Sequence, residues 1–349
     1  MSARRITRPP GVPAEITFQQ VLDALLDQSK PFNPKYLYLL SDLDEIELRG
    51  LEITWPQVSP QRRQAILEDI EELGEADDTL SFEGFCLVSL SDSEPRVREL
   101  AVRILAEYET ASLVPVFLNL LTSDLDSQVR AASASALGKY VYQGETDALP
   151  GQTLNEVVDH LLIVYNSQQP ALVRRRALES LGYSSREEIT RIIEAAYYSS
   201  RHDWIVSALF AMGRSINTQW NSLVLEMLES DDPEILEEAV RAAGELEIQR
   251  ASPRLMELLD DNDSDLRLAA IWSLSQIGGE GVEETLLDLL EDTEDDEEAD
   301  IIEVALENLH FTEDKEIFAL FAVDDDNDKD EEGIAETDDI DIEFDEDEN

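Results

Sequence analysis

The chain is poor in cysteine, histidine and positive charge, and it has no long apolar run. One cysteine in 349 residues, Cys86, excludes an intramolecular disulfide and any cysteine-rich zinc or iron–sulfur centre. The three histidines, His160, His202 and His310, lie far apart and lack metal-ligand spacing, so each is expected in packing or at the surface. No apolar stretch approaches the ~20 residues that span a bilayer, and no apolar segment follows Arg4 and Arg5 as a secretory signal would require. Cytoplasmic location is the default expectation. Nucleophile elbow, glycine-rich phosphate loop and HExxH are all missing. The acidic run from Asp260 lacks the glycine and glutamate of a calcium loop, with Asp265 and Ile271 at those positions. The sequence therefore offers no candidate catalytic, cofactor or metal residue.

Basic residues number 26 against 79 acidic ones, for a formal charge of −53. Nucleic acid is held by neutralising phosphates with Lys and Arg, so a DNA or RNA partner is disfavoured, as is an anionic membrane surface. What remains is a protein partner, basic or neutral. The charge is spread unevenly. Residues 1–35 are net basic, residues 323–349 hold sixteen acids against Lys329, and Glu280 to Asp314 contains sixteen acids and no Lys or Arg. Two explanations compete: recognition of a basic partner, with steering that salt would screen, or a general surface adaptation for solubility or high salt. With 43% apolar residues the body is expected to fold.

What is abundant is a repeat. An Asp-rich turn followed by Val-Arg-x-x-Ala-x-x-x-Leu occurs at Asp92 to Leu105, at Asp124 to Gly138, before Gly182 and at Asp261 to Leu274. Counting degenerate copies, its first apolar position falls at Val97, Val129, Val173, Trp204, Ile235, Leu266 and Ile301, with three consecutive steps of 31 residues. A weaker earlier copy contains Arg62-Arg63, Ile66 and Ile70. Apolar residues at offsets 0, 4 and 8 form one stripe of a helix, and in the seven copies from Val97 on the middle position is Ala six times and Ser133 once. A second apolar helix precedes each copy, as at Leu113–Leu121 and Leu223–Leu228. One such hairpin cannot bury its apolar face alone, so neighbours must stack. The expected fold is all-α, an α-solenoid of about seven to eight hairpins over residues 36–322. An N-terminal arm, residues 1–35, would carry a short capping helix near Ile16–Leu26, and 323–349 would form a disordered acidic tail.

In this register Asp92, Asp124 and Asp261 are placed to cap a helix or brace a turn. Arg98, Arg130, Arg174 and Arg267 are placed to bridge to the neighbouring turn, as a structural ladder of charge-assisted hydrogen bonds. Tyr142 to Gln152, with two Gly and a Pro, reads as a longer loop between units.

The motif Asp-x-x-x-x-Val-Arg-x-x-Ala-x-x-x-Leu-Gly resembles the HEAT repeat, in the short form of phycobilisome-lyase-type repeats. It is strongest at Val97–Ala106, Val129–Gly138, Val173–Gly182 and Leu266–Ser275; Ile205, Leu236 and Ile302 stand where Arg is expected. The resemblance implies the solenoid and leaves function open, because such arrays serve transport, scaffolding and chromophore attachment alike. It also implies that the second helix of each pair lines the concave face. Offsets 2 and 6 there bring Arg103, Arg175, Phe210, Arg241 and Trp272 to a candidate protein-binding strip, Arg and aromatics being the types enriched at hot spots. In the tail, Ile340, Ile342 and Phe344 alternate with acids, a pattern suited to docking as a strand. The expected function is a non-enzymatic scaffold or adaptor for a protein, held on the concave face or by the tail. The alternative is a HEAT-like lyase or lyase subunit handling a chromophore protein. Oligomeric state is left open.

Overall fold

The computed structural model describes residues 16–311, apart from 109, 294 and 297. Among them the chain is helical, with no strand. Ile340, Ile342, Phe344 and the rest of the acidic tail lie outside the described residues. The chain divides into two compact units, Met1–Leu246 and Glu247–Asn349.

The first unit opens with α1 (Phe18–Leu26), whose Thr17 and Gln20 form a capping box. Arg62 donates to the carbonyls of Ala24 and Asp27, at 2.9 and 2.6 Å, satisfying the end of this helix. Six hairpins follow: α2 (Glu45–Thr54) with α3 (Pro60–Ala76), α4 (Glu83–Ser89) with α5 (Pro95–Ala106), α6 (Val114–Ser123) with α7 (Ser127–Glu145), α8 (Gly151–Tyr165) with α9 (Ala171–Leu181), α10 (Glu187–Tyr197) with α11 (His202–Arg214), and α12 (Asn221–Met227) with α13 (Pro233–Glu245). Local chemistry starts the second helices. Pro95 and Pro233 occupy first-turn positions where the missing N–H costs nothing. Asp126 and Asp232 accept from first-turn backbone N–H groups.

Stacking follows from the repeat stripe. Ala101, Ser133, Ala177, Ala208 and Ala239, all at the middle position, are fully buried. Each second helix packs on the next, α3 on α5 and so on to α13. Close approach requires glycine at the end of the motif. A Cβ on Gly182 would sit 2.7 Å from the Ala211 carbonyl oxygen and 2.8 Å from its Cα. Ser180 Oγ, from the same turn, donates to the Ala134 carbonyl at 2.8 Å.

One local expectation is corrected. Tyr142 to Gln152 is not a long loop: α7 runs on to Glu145, and α8 starts at Gly151. Gly144 lies inside α7, where a Cβ would meet Leu154 of α8 at 2.7 Å. The glycine there serves close helix packing, and the extra residues of this repeat lengthen helices.

The second unit holds two further hairpins of the same build: α14 (Ser252–Leu258) with α15 (Ser264–Ile277), and α16 (Val282–Asp292) with α17 (298–311). Ala270 and Ala305 are fully buried, and Asp263 caps α15. The turn between its hairpins uses Gly278, Gly279 and Gly281, all at positive φ.

Candidate functional site

The repeated arginines are spent within the fold. In the first unit Arg63 reaches Asp92 at 2.9 Å, with side chains 6% and 0% exposed. Arg98 makes a two-pronged pair with Asp124, at 2.8 and 2.7 Å, and turns its remaining nitrogen to the Asp92 carbonyl. Burial works against the Asp124 carboxylate, and the Arg98 hydrogen bond with the Asp126 N–H outweighs it, holding the group below its usual range. Arg130 bonds the Asp124 carbonyl and Gln169. Arg174 bonds the Tyr165 carbonyl and stacks over Tyr165 and Trp204. In the second unit Arg267 joins the Asp261 carbonyl to Glu298. Asp92, Asp124 and Asp261 also accept from the N–H two residues on, bracing their turns.

His202 and Asp232, 2.9 Å apart, link the turns of α10–α11 and α12–α13, where the motif has lost its arginine. The side chain is over a third exposed; its hydrogen bond to Asp232 raises the imidazole above its ordinary value. The sequence carries no sign of this rung, since His202 stands two residues before Trp204 whereas the motif aspartates stand five before their apolar position.

An open groove of about 1360 Å³ lies on the second helices of the first unit. Its floor is α7, where Ala131, Ala132, Ser135 and Gly138 keep side chains short. At one end stand Glu71 and Glu75 of α3 and Asp78 just beyond it, with Glu99, Arg103 and Glu107 of and beside α5. At the other end Tyr142 packs against Tyr183 (centroids 5.4 Å apart), and Arg214 lies over both Tyr183 and Phe210, at 5.2 and 4.8 Å. The two additional turns of α7 supply Tyr142 and thus part of this wall.

The helical residues singled out for binding meet different fates. Arg103 and Phe210 line the groove. Arg175 does not: its side chain is largely buried and donates to the Asp203 carbonyl and Ser207 Oγ, binding α9 to α11. Arg241 is half exposed and paired with Glu237 within α13. Trp272, 45% exposed, belongs to the second unit. Tyr142, Tyr183 and Arg214 join the site unforeseen. The signal available was the recurrence of Tyr183 and Arg214 at offset 10 of their copies, one turn beyond the offsets that were considered.

Beside the groove, the charge balance tips. Glu179 is held by Arg176 at 2.6 Å and Ser207 at 2.7 Å. Burial, with crowding by Glu245, Glu179 and Glu237 that Arg241 only partly offsets, pushes Glu238 up to about 7. Among the described residues, no group of three or more His, Cys, Asp or Glu is placed to hold a metal ion, and no helix is long and apolar enough to cross a membrane.

A family model described as HEAT repeats matches residues 85–182 and 221–307, just over half of the chain. No curated protein matches the sequence. Solved structures are similar to it at low identity. The complex of CpcE and CpcF of phycocyanin lyase from Nostoc sp. PCC7120 is 19% identical, with 65% of this chain and 94% of that one covered and a TM-score of 0.44. Human deoxyhypusine hydroxylase is 16% identical, with coverage of 84% and 96% and a TM-score of 0.34. Kap95p, in a structure with RanGDP, is 15% identical, with coverage of 84% and 41% and a TM-score of 0.39. Likeness this distant specifies neither an activity nor a partner.

Proposed function

The chain belongs to the HEAT-repeat family, and from that premise we propose that it is a non-enzymatic scaffold or adaptor that holds a protein partner in the groove on its second helices. The observation that carries this reading is the division of labour among side chains. The ladder arginines are turned into the stack, whereas Arg103, Tyr142 and Phe210 border an open groove with a floor of small residues. A surface of that build lets a partner backbone approach closely and offers aromatic anchors at its edge. On that floor Ser135 is exposed and Ala132 partly exposed.

The test is capture of a partner from the host extract, identification, and reconstitution with the purified full-length chain. Ser135 is exposed on the groove floor, so Ser135→Trp should fill the groove without disturbing the core. The expected result is a loss of affinity on the order of tenfold or more. Unchanged affinity would remove the groove from the function, and loss only on deletion of 323–349 would transfer binding to the acidic tail.

A further inference from the structure

The two ends of the groove differ in chemistry. Its cations are already answered: Arg103 by Glu71 at 2.9 Å, Lys139 by Glu107 at 3.6 Å, Arg176 by Glu179 at 2.6 Å and Arg214 by Glu245 at 3.5 Å. Among the described residues no cation pairs with Glu75 or Asp78, which are exposed at the α3 end. Burial raises Glu71 above its ordinary value, Arg103 opposes the rise, and Glu75 and Glu68 add to it. The opposite end presents Tyr142, Phe210 and the stacked Arg214, surroundings that favour an aromatic group by stacking. Second helices packed about 8–10 Å apart place α3 and α11 roughly 32–40 Å apart along the row, the span of about ten to twelve extended residues.

Resting on the groove as the partner site, we propose that its occupant is an extended peptide segment of about a dozen residues, basic where it crosses α3 and α5 and aromatic where it reaches α9 and α11. The short floor of α7 admits the peptide backbone between the two ends. Glu75 and Asp78 select the basic end by charge complementarity, and stacking on Tyr142 and Phe210 sets the direction by selecting the aromatic end.

A phage-displayed random dodecapeptide library, panned on the full-length chain at about 0.15 M ionic strength, tests this. The expected winners carry a Lys/Arg run and, toward the opposite terminus, an aromatic residue. As synthetic peptides they should bind on the order of tenfold more weakly to Glu75→Lys/Asp78→Lys and to Phe210→Ala. Affinity should hold in Glu187→Lys/Glu188→Lys, an equal charge change on exposed α10 positions outside the groove. Equal loss in both charge variants would overturn the proposal, since attraction to the polyanion as a whole would then explain the binding. Winners without basic residues that are nonetheless blocked by Ser135→Trp would also overturn it, leaving the groove as a partner site of other chemistry. Winners insensitive to Ser135→Trp would overturn both readings.

Discussion

The stretch from Arg63 to Gly138 and the stretch from His202 to Glu245 have the same hairpins but opposite electrostatic economies. In the first, buried aspartates are each met by an arginine: Asp92 by Arg63, Asp124 by Arg98. In the second, the motif arginine is gone, an exposed His202–Asp232 contact stands in for it, and Glu238 lies half-buried among other carboxylates. Packing of the small-residue stripe is common to both, with Ala101 and Ala208 fully buried. The comparison teaches that the stack is held by apolar packing, and that the ladder decides how its stability responds to charge.

The largest effect should come from breaking the buried pair. Arg63→Ala leaves Asp92 charged and dry, and should cost about 3–5 kcal/mol in denaturant unfolding, if that transition is cooperative. A loss below ~1 kcal/mol would show that the ladder is ornamental even where it is buried. Next is Glu238. Because its folded value is raised, the folded state binds the extra proton, and stability falls as pH rises from about 4.5 to about 7. Glu238→Gln should remove that slope and stabilise the chain by ~1–3 kcal/mol above pH 7, with little change near pH 4.

A smaller gain is expected at Ile216, which holds φ at 47° in the turn between α11 and α12 while 76% exposed. A β-branched residue is strained in this left-handed region, and Ile216→Asn should raise stability by about 1 kcal/mol. The smallest effect concerns His202. Its raised value means that its contribution is complete below about pH 6.5 and is lost as pH rises through the folded value. Asp232, lowered by the same contact, contributes above about pH 4 and loses this as pH falls through its own folded value. His202→Gln should therefore flatten a shallow decline in melting temperature between pH 6 and 8 and leave the Arg63 region unaffected. A His202→Gln effect as large as that of Arg63→Ala would invert the comparison.

Most of the fold was legible because its signals are local. Apolar residues at offsets 0, 4 and 8 need only helical periodicity to define a face, and the recurring alanine announces that another helix must lie on it. The segment around Gly144 was misread for a reason of the same kind. Glycine marks a turn when judged by neighbours in sequence, whereas here it marks contact with Leu154 of the next helix. The groove was legible in part. Arg103 and Phe210 were found from helix geometry, while Arg175, two offsets from the stripe, was drawn inward by Ser207 and Asp203 on α11. Tyr142 was hidden because the lengthening of α7 that carries it looked like a loop.

By itself the sequence determined that this chain is built of helical hairpins and that none can stand alone, since capping, periodicity and apolar burial act over a few residues or one turn. The tertiary structure alone decided which charged groups hold the stack and which face the groove. The partners of Arg98, Arg130 and Arg267 lie 26, 39 and 31 residues away. Whether two such groups meet depends on how closely neighbouring helices approach, and that distance is set by packing across the whole interface.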